Sequence, residues 1–339
     1  LAAVSTGANV YRETPLPGAI LTRVAASHIR VGTFQYGAAR GEVDKVRALA
    51  DYAILRHYPE IADAENPYLE FFVAVTDAQA ALVASWMNIG FIHGVMNTDN
   101  MTISGETIDY GPCAFMNIYS PGTVFSSIDQ HGRYAYANQP EILVWNLARL
   151  AETLIPIVDP DKNRAIELLT ETIDCIKPLY ESHWLAGMQS KIGLSTEDPQ
   201  DQKLITDLLS VMAEGQADFT LVFRHLAKVL LGVSDPVRNL FKDPAAFDLW
   251  LQRWQKRLEQ EGVSKETRAE AMDRFNPIYI PRNHKVEEAL SAAVEQGDMK
   301  PFTKMLNVLS HPFEDIQEEE VYSEPPPLSN IPYRTFCGT

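Results

Sequence analysis

The amino-acid sequence predicts an α+β protein in which helices dominate. Short β-branched runs separated by turn residues are confined to residues 1–36. Apolar residues recur at helical spacing through most of residues 140–310. Between these regions, a long apolar helical pattern leads directly into a polar segment rich in Asp and Asn, residues 93–100. The sequence therefore predicts a small strand-forming part, then a large helical part, with a polar segment between them.

The first predicted elements are two strands and a turn. Apolar β-branched residues precede Gly7, Pro15 and Gly18, and a second β-branched run follows at residues 19–24. Turn residues between two such runs are typical of paired strands. The pattern becomes helical over residues 43–58.

The clearest helix boundaries lie at Asn66 and Gly90. Asn66 followed by Pro67 is typical of an N-cap with proline at the first helical position, and Gly90 is typical of a helix C-cap. Apolar residues recur at helical spacing between them. The short apolar segments on either side of residues 104–106 predict a small hairpin.

Residues from Pro140 onward are predicted to be almost entirely helical, with Pro and Gly between the helices. The acidic, Pro-rich segment at residues 314–327 predicts an extended surface strap. Cysteine and tryptophan residues within the helical patterns are expected in the core rather than in a ligand site. These residues are Trp145, Cys175, Trp184, Trp250 and Trp254.

Composition excludes several classes of protein. The formal net charge of −16 disfavours nucleic acid and anionic membranes as partners. No run of about 18 apolar residues is found, so no membrane span is expected. Three cysteines are too few for a disulfide scaffold, which favours a reducing cytoplasm. The chain begins at Leu1 without an initiator Met or signal-peptide pattern, so we expect a fragment of a longer protein.

The segment His93-Gly94-Val95-Met96-Asn97-Thr98-Asp99-Asn100 has the spacing of the protein-kinase catalytic loop. His93 takes the position of the kinase His, and Asn100 takes the position of the metal-binding Asn. Asp109-Tyr110-Gly111 then takes the place of the D-F-G triplet. This ordered set predicts a kinase-like fold, although Asp and Asn that merely cap turns would give a similar pattern.

One position departs from the kinase pattern. The catalytic Asp of kinases falls on Val95, which cannot accept a proton, but a carboxylate occurs nearby at Asp99. Asn and Asp side-chain oxygens suit Mg²⁺, which neutralises phosphate charge. A second carboxylate can accept the proton of an attacking hydroxyl.

With its neighbours, this motif set resembles the selenoprotein O family. The resemblance covers essentially all 339 residues. The segments that carry it, besides residues 93–101, are Val10–Glu13, Leu21–Ala25, Ser27–Phe34, Ile108–Pro112, His131–Tyr134, Asn276-Pro277, Tyr279-Ile280 and Arg282-Asn283.

The resemblance implies a protein-kinase-like fold that binds ATP in a flipped orientation and transfers AMP to Ser, Thr or Tyr hydroxyls of proteins. UMP transfer from UTP is the alternative attributed to bacterial members. The resemblance implies that Asp99 is the catalytic base. It also implies that Asn100 and Asp109 bind Mg²⁺, with Mn²⁺ as the alternative ion. Arg23 and Arg30 would bind the nucleotide phosphates beside Asp109. A planar guanidinium binds two phosphate oxygens at once, although ordinary surface ion pairs would also explain the two arginines.

The same resemblance divides the chain into three parts. Residues 1–36 are the last strands of the N-lobe and a phosphate-binding segment, residues 37–310 form the helical C-lobe, and residues 311–339 form an extended tail. The Gly-rich loop, strand Lys and partner Glu of the N-lobe are absent from the sequence, so a missing N-terminal segment is an expected partner. The expected location is the bacterial cytoplasm, or the mitochondrion for a eukaryotic source.

The resemblance also raises a redox hypothesis. Family members often carry Cys or selenocysteine near the C-terminus, paired with a Cys in the activation segment. Cys337 fits the first position, whereas Thr123–Ser126 lacks the second, and Cys113 is the nearby substitute. Two unpaired thiols are the alternative.

Two other functions stay open. One is a kinase that transfers the γ-phosphate, against which Val95 argues. The other is an inactive scaffold, against which the joint presence of Asp99, Asn100 and Asp109 argues.

Overall fold

The computed structural model describes residues 2–11, 14–327 and 332–336, and within them it consists mainly of a β-hairpin followed by twelve α-helices. Strands β1 (Ala2–Tyr11) and β2 (Pro15–Thr22) pair antiparallel, from Ala2 opposite Thr22 to Tyr11 opposite Pro15. The register shifts between Ser5 and Asn9, around Gly7, whose φ of +69° suits glycine. The predicted pair of strands is therefore confirmed.

Three helices lead to the polar segment. They are α1 (Val31–Ala39), α2 (Val43–His57) and α3 (Pro67–Ile89). The side chain of Asn66 accepts the Leu69 N–H at the start of α3, and Gly90 is left-handed at its end, with φ of +71°. Both predicted boundaries of α3 are confirmed, because each is set by local capping chemistry.

The core lies where α3 packs against α4 (Gln139–Val158) and α5 (Lys162–Lys191). Leu143, Leu147, Leu150 and Leu154, which recur at helical spacing along α4, are all fully buried. α1 also contacts α4, so the first helix is attached to the same core. This arrangement places the ends of α1, α3 and α4 around the polar segment.

The remaining helices extend the body to residue 309. No strand occurs between residues 140 and 310, all of which are described, so the predicted mainly helical α+β class is confirmed. These helices are α6 (Asp201–Gly215), α7 (Phe219–Leu230), α8 (Asp235–Arg238), α9 (Ala245–Glu259), α10 (Lys265–Phe275), α11 (Asn283–Gln296) and α12 (Lys300–Leu309).

Predictions of core residues are right for Trp250 and Trp254 but wrong for two other residues. Trp250 and Trp254 are fully buried, and each donates its indole N–H to a backbone carbonyl at 2.8 Å. Trp145, however, is 40% exposed, and Cys175 is exposed. Cys175 lies next to the buried Ile176, and successive helical residues point about 100° apart, so the neighbour of a buried residue can face solvent.

Contrary to the expectation of no membrane span, helix α3 is long and apolar enough to cross a bilayer by length and composition. Half of its most apolar window is buried inside the protein. A core helix meets the same criterion, and the packing of α3 against α4 and α5 accounts for its composition.

Beyond α12 the tail returns to the helical body. Its described part contains a short 3₁₀ helix, Glu320–Tyr322. Near the C-terminus, Thr335 forms a parallel β-bridge with Ser126. The Thr335 N–H donates to Phe125 O at 2.8 Å, and Thr335 O accepts from the Ser127 N–H at 2.9 Å.

A buried lysine predicts a pH-dependent stability. Lys191 is 2% exposed, its ammonium group lies 4.3 Å from the ring centre of Phe223, and burial lowers its pKa from 10.5 to about 7. The unfolded chain thus binds more protons than the folded protein between about pH 7 and pH 10.5, so this group makes stability rise with pH across that window. Lys191→Met is expected to raise the free energy of unfolding at pH 7 by roughly 2–5 kcal/mol.

Urea unfolding at pH 7 and at pH 9.5 measures this effect. The gain should shrink at the higher pH, because the release of the Lys191 proton on folding costs less free energy as the pH approaches the unfolded pKa of 10.5. Lys203→Met is the control, since its side chain on α6 is exposed and should change stability by no more than about 0.5 kcal/mol. A gain independent of pH would contradict the assignment.

Candidate active site

The polar segment after α3 is held between two short strands. β3 (Phe91–Ile92) pairs antiparallel with β4 (Ala114–Phe115), so residues 93–113 form one excursion that leaves and returns at the same place. Within it, Met101 and Thr107 form the antiparallel bridge of the predicted small hairpin. His93, Asn100 and Asp109 are thereby kept in one region of the molecule.

Two amide side chains of helix α4 hold the backbone at the start of this segment through hydrogen bonds. The buried amide of Gln139 accepts the His93 N–H at 3.0 Å and donates to Phe91 O at 3.0 Å. The buried Asn146 donates to Met96 O at 2.9 Å. Buried amides that satisfy loop carbonyls and N–H groups replace the hydrogen bonds that water would otherwise supply. Sequence periodicity did not single out either residue.

His93 links the start of the segment to the Asp109 turn. Its ring is fully buried beside Trp86, and its Nε2 lies 2.9 Å from Ile108 O, the residue before Asp109. Burial lowers the pKa of His93 below its usual value, so the neutral ring donates Nε2–H to this carbonyl. His93 therefore positions the Asp109 backbone.

Asn100 and Asp109 supply the oxygens expected of a magnesium site. The Asn100 amide nitrogen donates to Val95 O at 2.9 Å, and among the described residues no hydrogen bond engages its Oδ1. Asp109 adopts a left-handed φ of +59°, which costs energy for a side chain other than Gly and is tolerated best by Asn and Asp. A free amide oxygen and a partly exposed carboxylate have the donor chemistry that fits Mg²⁺.

Asp99 lies against the start of α1. A Cβ placed on Gly32 would overlap Asp99 Oδ1, so the carboxylate occupies the space that glycine leaves open. Gly32 is two residues beyond Arg30, and the backbone of residues 29–31 pairs with residues 101–103. The predicted base and the predicted phosphate-binding segment are therefore neighbours, and the sequence did not reveal that Gly32 leaves room for the Asp99 carboxylate.

Arg23 and Asp109 meet directly. Arg23 Nη1 lies 3.3 Å from Asp109 Oδ1, with both side chains nearly half-exposed. An ion pair this exposed contributes no more than about 1 kcal/mol, so the arginine can exchange its carboxylate partner for a phosphate. Arg30 is half-buried and has no carboxylate partner among the described residues. The structure thus brings Arg23 to Asp109 and the Arg30 backbone beside residue 102.

Of the two cysteines in the redox hypothesis, only Cys113 lies within the described residues. Cys113 is a free thiol, and burial raises its pKa to about 11, which keeps it protonated and weakly reactive. Cys337 lies outside the described residues. The tail does come close to Cys113, because the Thr335 hydroxyl donates to Pro112 O at 2.6 Å.

A guanidinium in contact with a carboxylate, as at Arg23 and Asp109, is a combination that enzymes acting on phosphate-bearing substrates commonly use. The family profile described as "Protein adenylyltransferase SelO" matches residues 1–310. The "Protein nucleotidyltransferase YdiU" of Rhizobium leguminosarum bv. trifolii is 55% identical over 341 residues, covering all of this chain and 68% of that relative. Proteins of the same name from Cereibacter sphaeroides strain KD131 and Rhizobium meliloti are 57% and 54% identical, with 69% and 70% of their lengths covered.

The chain belongs to the SelO family of protein adenylyltransferases. The resemblance predicted from the motifs is confirmed, and so is the enzymatic class, protein nucleotidyltransferase.

The contact between Gly32 and Asp99 makes a specific prediction. Gly32→Ala is expected to displace the Asp99 carboxylate and to lower the rate of nucleotidyl transfer by about 100-fold, the cost of misplacing a catalytic group by roughly 1 Å. Gly122→Ala is the matched control, because a Cβ there meets no atom within 4 Å. Initial rates of the full-length enzyme measure the effect, and equal rates for the two variants would contradict a role for this contact.

If Arg23 and Arg30 bind the nucleotide phosphates, replacing either of them should weaken ATP binding. Arg23→Ala or Arg30→Ala should each weaken ATP binding by about 1.5–3 kcal/mol, the range for hydrogen bonds to charged groups. Arg164→Ala is the control, since Arg164 pairs with Glu167 along α5. Isothermal titration of full-length protein with ATP measures the change. Binding within about twofold of wild type for both variants would contradict the assignment.

Proposed function

We propose that this chain transfers AMP from ATP to Ser, Thr or Tyr hydroxyls of proteins, with Asp99 as the base. Asn100 and Asp109 would hold Mg²⁺, and Arg23 and Arg30 would bind the nucleotide phosphates. The observation that carries the proposal is the meeting of two distant segments: Arg23 reaches Asp109 at 3.3 Å, and Asp99 packs on Gly32. The fold that supports this arrangement is a protein-kinase-like C-lobe with the last strands of the N-lobe.

In the proposed reaction, Asp99 accepts the proton of the acceptor hydroxyl. The hydroxyl oxygen bonds to the α-phosphorus, the bond between that phosphorus and the oxygen bridging to the β-phosphate breaks, and pyrophosphate leaves. Arg23 and Arg30 bind the departing phosphates, whose charge a planar guanidinium matches with two hydrogen bonds. Mg²⁺, when bound, neutralises phosphate charge.

Two features of the site favour transfer from the α-phosphate over γ-phosphate transfer. Val95, at the position of the kinase base, is only partly buried and has no proton-accepting group. The available carboxylate, Asp99, lies beside the arginine-bearing segment instead. A flipped nucleotide, with its terminal phosphates at the arginines, would bring the α-phosphorus toward the acceptor.

Labelled nucleotide distinguishes the candidate functions. Full-length enzyme is incubated with a protein acceptor and ATP labelled at either the α- or the γ-phosphate, with Mg²⁺ or Mn²⁺. Protein labelled from the α position supports the proposal, protein labelled from the γ position shows a kinase, and no labelled protein shows a scaffold. A parallel reaction with α-labelled UTP tests UMP transfer, and the bacterial cytoplasm is the proposed compartment.

A further inference from the structure

A cleft lined by both polar and apolar side chains opens near the proposed base. Its volume is about 790 Å³. One wall is the segment that contains Val95 and Asn97, and the other is the loop of residues 128–134. The floor is the first turn of α4. Two residues span no more than about 7 Å, so Asn97 places one end of the cleft within reach of Asp99.

The loop wall of the cleft is held by specific hydrogen bonds. The Asp129 carboxylate accepts the N–H groups of Arg133 and Tyr134, each at 2.8 Å. Asn138 donates to Gly132 O at 2.8 Å. The Tyr134 hydroxyl donates to Asn97 Oδ1 at 2.7 Å, which ties this loop to the catalytic segment. These hydrogen bonds hold the backbone of the loop around Arg133 next to the segment that contains Asn97.

Arg133 offers a positive charge at this wall without a carboxylate partner. Its guanidinium lies 4.9 Å from the ring centre of Trp145, and no salt bridge to it is formed within the described residues. Arg149 covers the same indole at 5.5 Å and pairs with Glu152 at 2.6 Å. An aromatic face orients a guanidinium while leaving its N–H groups free for an anion.

The acidic groups of the cleft do not cancel this charge. Asp129 is engaged by two backbone N–H groups. Glu141 stands in the first turn of α4, where the helix dipole favours a carboxylate, and it forms no salt bridge with Arg133. In a chain whose net charge is −16, Arg133 and Trp145 form a local site for a negative group.

We infer that this cleft binds the acceptor segment of the protein substrate, with an Asp or Glu near the acceptor hydroxyl contacting Arg133 on the Trp145 face. The inference rests on the proposed function, because Asp99 must receive the acceptor proton. Arg133 is then a specificity-determining residue for the acceptor.

A randomised peptide library tests the inference. Each peptide carries one central Ser, Thr or Tyr with varied neighbours, and full-length enzyme labels the library from α-labelled ATP. Labelled peptides should be enriched in Asp and Glu, with kcat/KM for an acidic peptide at least tenfold above that for its Lys-substituted twin. Arg133→Glu should reverse this preference, which a merely unfolded variant cannot do.

Arg274→Glu is the matched control, because Arg274 is an exposed arginine on α10. It should keep the acidic preference. Equal labelling of acidic and basic peptides, or an Arg133→Glu variant with wild-type preference, overturns the inference while the proposed function stands. Labelling of proteins but of no peptide also overturns it. No transfer of α-label to any acceptor, the enzyme itself included, is instead the failure of the proposed function.

Discussion

Replacing Asp109 with asparagine is expected to lower the rate of nucleotidyl transfer by at least about 1,000-fold. Asp109 is the charged member of the proposed metal site, and loss of several kcal/mol of charge stabilisation corresponds to a rate loss of this order. The initial rate of label transfer from α-labelled ATP to a protein acceptor measures the effect in full-length enzyme. Asp109→Ala should abolish transfer as well.

The asparagine variant is the cleaner of the two because of the backbone at this position. Asp109 has a φ of +59°, which asparagine tolerates and alanine adopts only at a cost of about 1–2 kcal/mol. Thermal unfolding should therefore show Asp109→Ala as less stable than Asp109→Asn. Activity of Asp109→Asn within a few-fold of wild type would rule out Asp109 as a metal ligand.

Arg282→Met is expected to destabilise the protein by about 3–5 kcal/mol, because it leaves a buried carboxylate without its partner. Arg282 is fully buried and donates to both oxygens of Asp218, at 2.7 and 3.1 Å. It also donates to Asn117 Oδ1 at 2.7 Å and to Ser323 O at 2.9 Å. One side chain thus joins the segment after β4, the start of α7 and the tail.

A double variant separates the ion pair from the other contacts. Asp218 also caps α7 by accepting the Leu221 N–H at 2.9 Å, and asparagine keeps that cap. Adding Asp218→Asn to Arg282→Met should therefore recover more than about 1 kcal/mol, since no charge then stays buried. Urea unfolding gives both values. If Arg282→Met alone lowers the free energy of unfolding by less than about 1 kcal/mol, the Arg282–Asp218 pair does not stabilise the fold substantially.

Local signals in the sequence predicted the elements whose ends are set locally. Asn66, Pro67 and Gly90 fix α3 through capping chemistry that involves only neighbouring residues. The residues of the 93–100 motif likewise lie in one continuous loop, so their spacing could be recognised in the sequence itself. Helical periodicity served less well at Cys175 and Trp145, because it identifies an apolar stripe without showing which neighbouring element covers it.

Contacts between distant segments could not be predicted from the residues alone. Gly32 receives Asp99 only after residues 29–31 pair with residues 101–103, and nothing near Gly32 in the sequence indicates this. The roles of Gln139 and Asn146 depend in the same way on packing of α4 beneath the loop. Arg23 and Asp109 were linked in advance only through the family resemblance, whose motifs carry information about the fold that composition and periodicity lack.

The bridge between Thr335 and Ser126 joins the tail to the loop after β4, so each segment holds the other in its folded position. The Thr335 amide and the Ser127 amide each donate across the same bridge, so neither hydrogen bond survives if the two segments separate. In native-state hydrogen exchange the two amides should open as one unit, with a common free energy of opening. Detaching the tail would therefore free the backbone of the loop that leads into the 128–134 wall of the cleft.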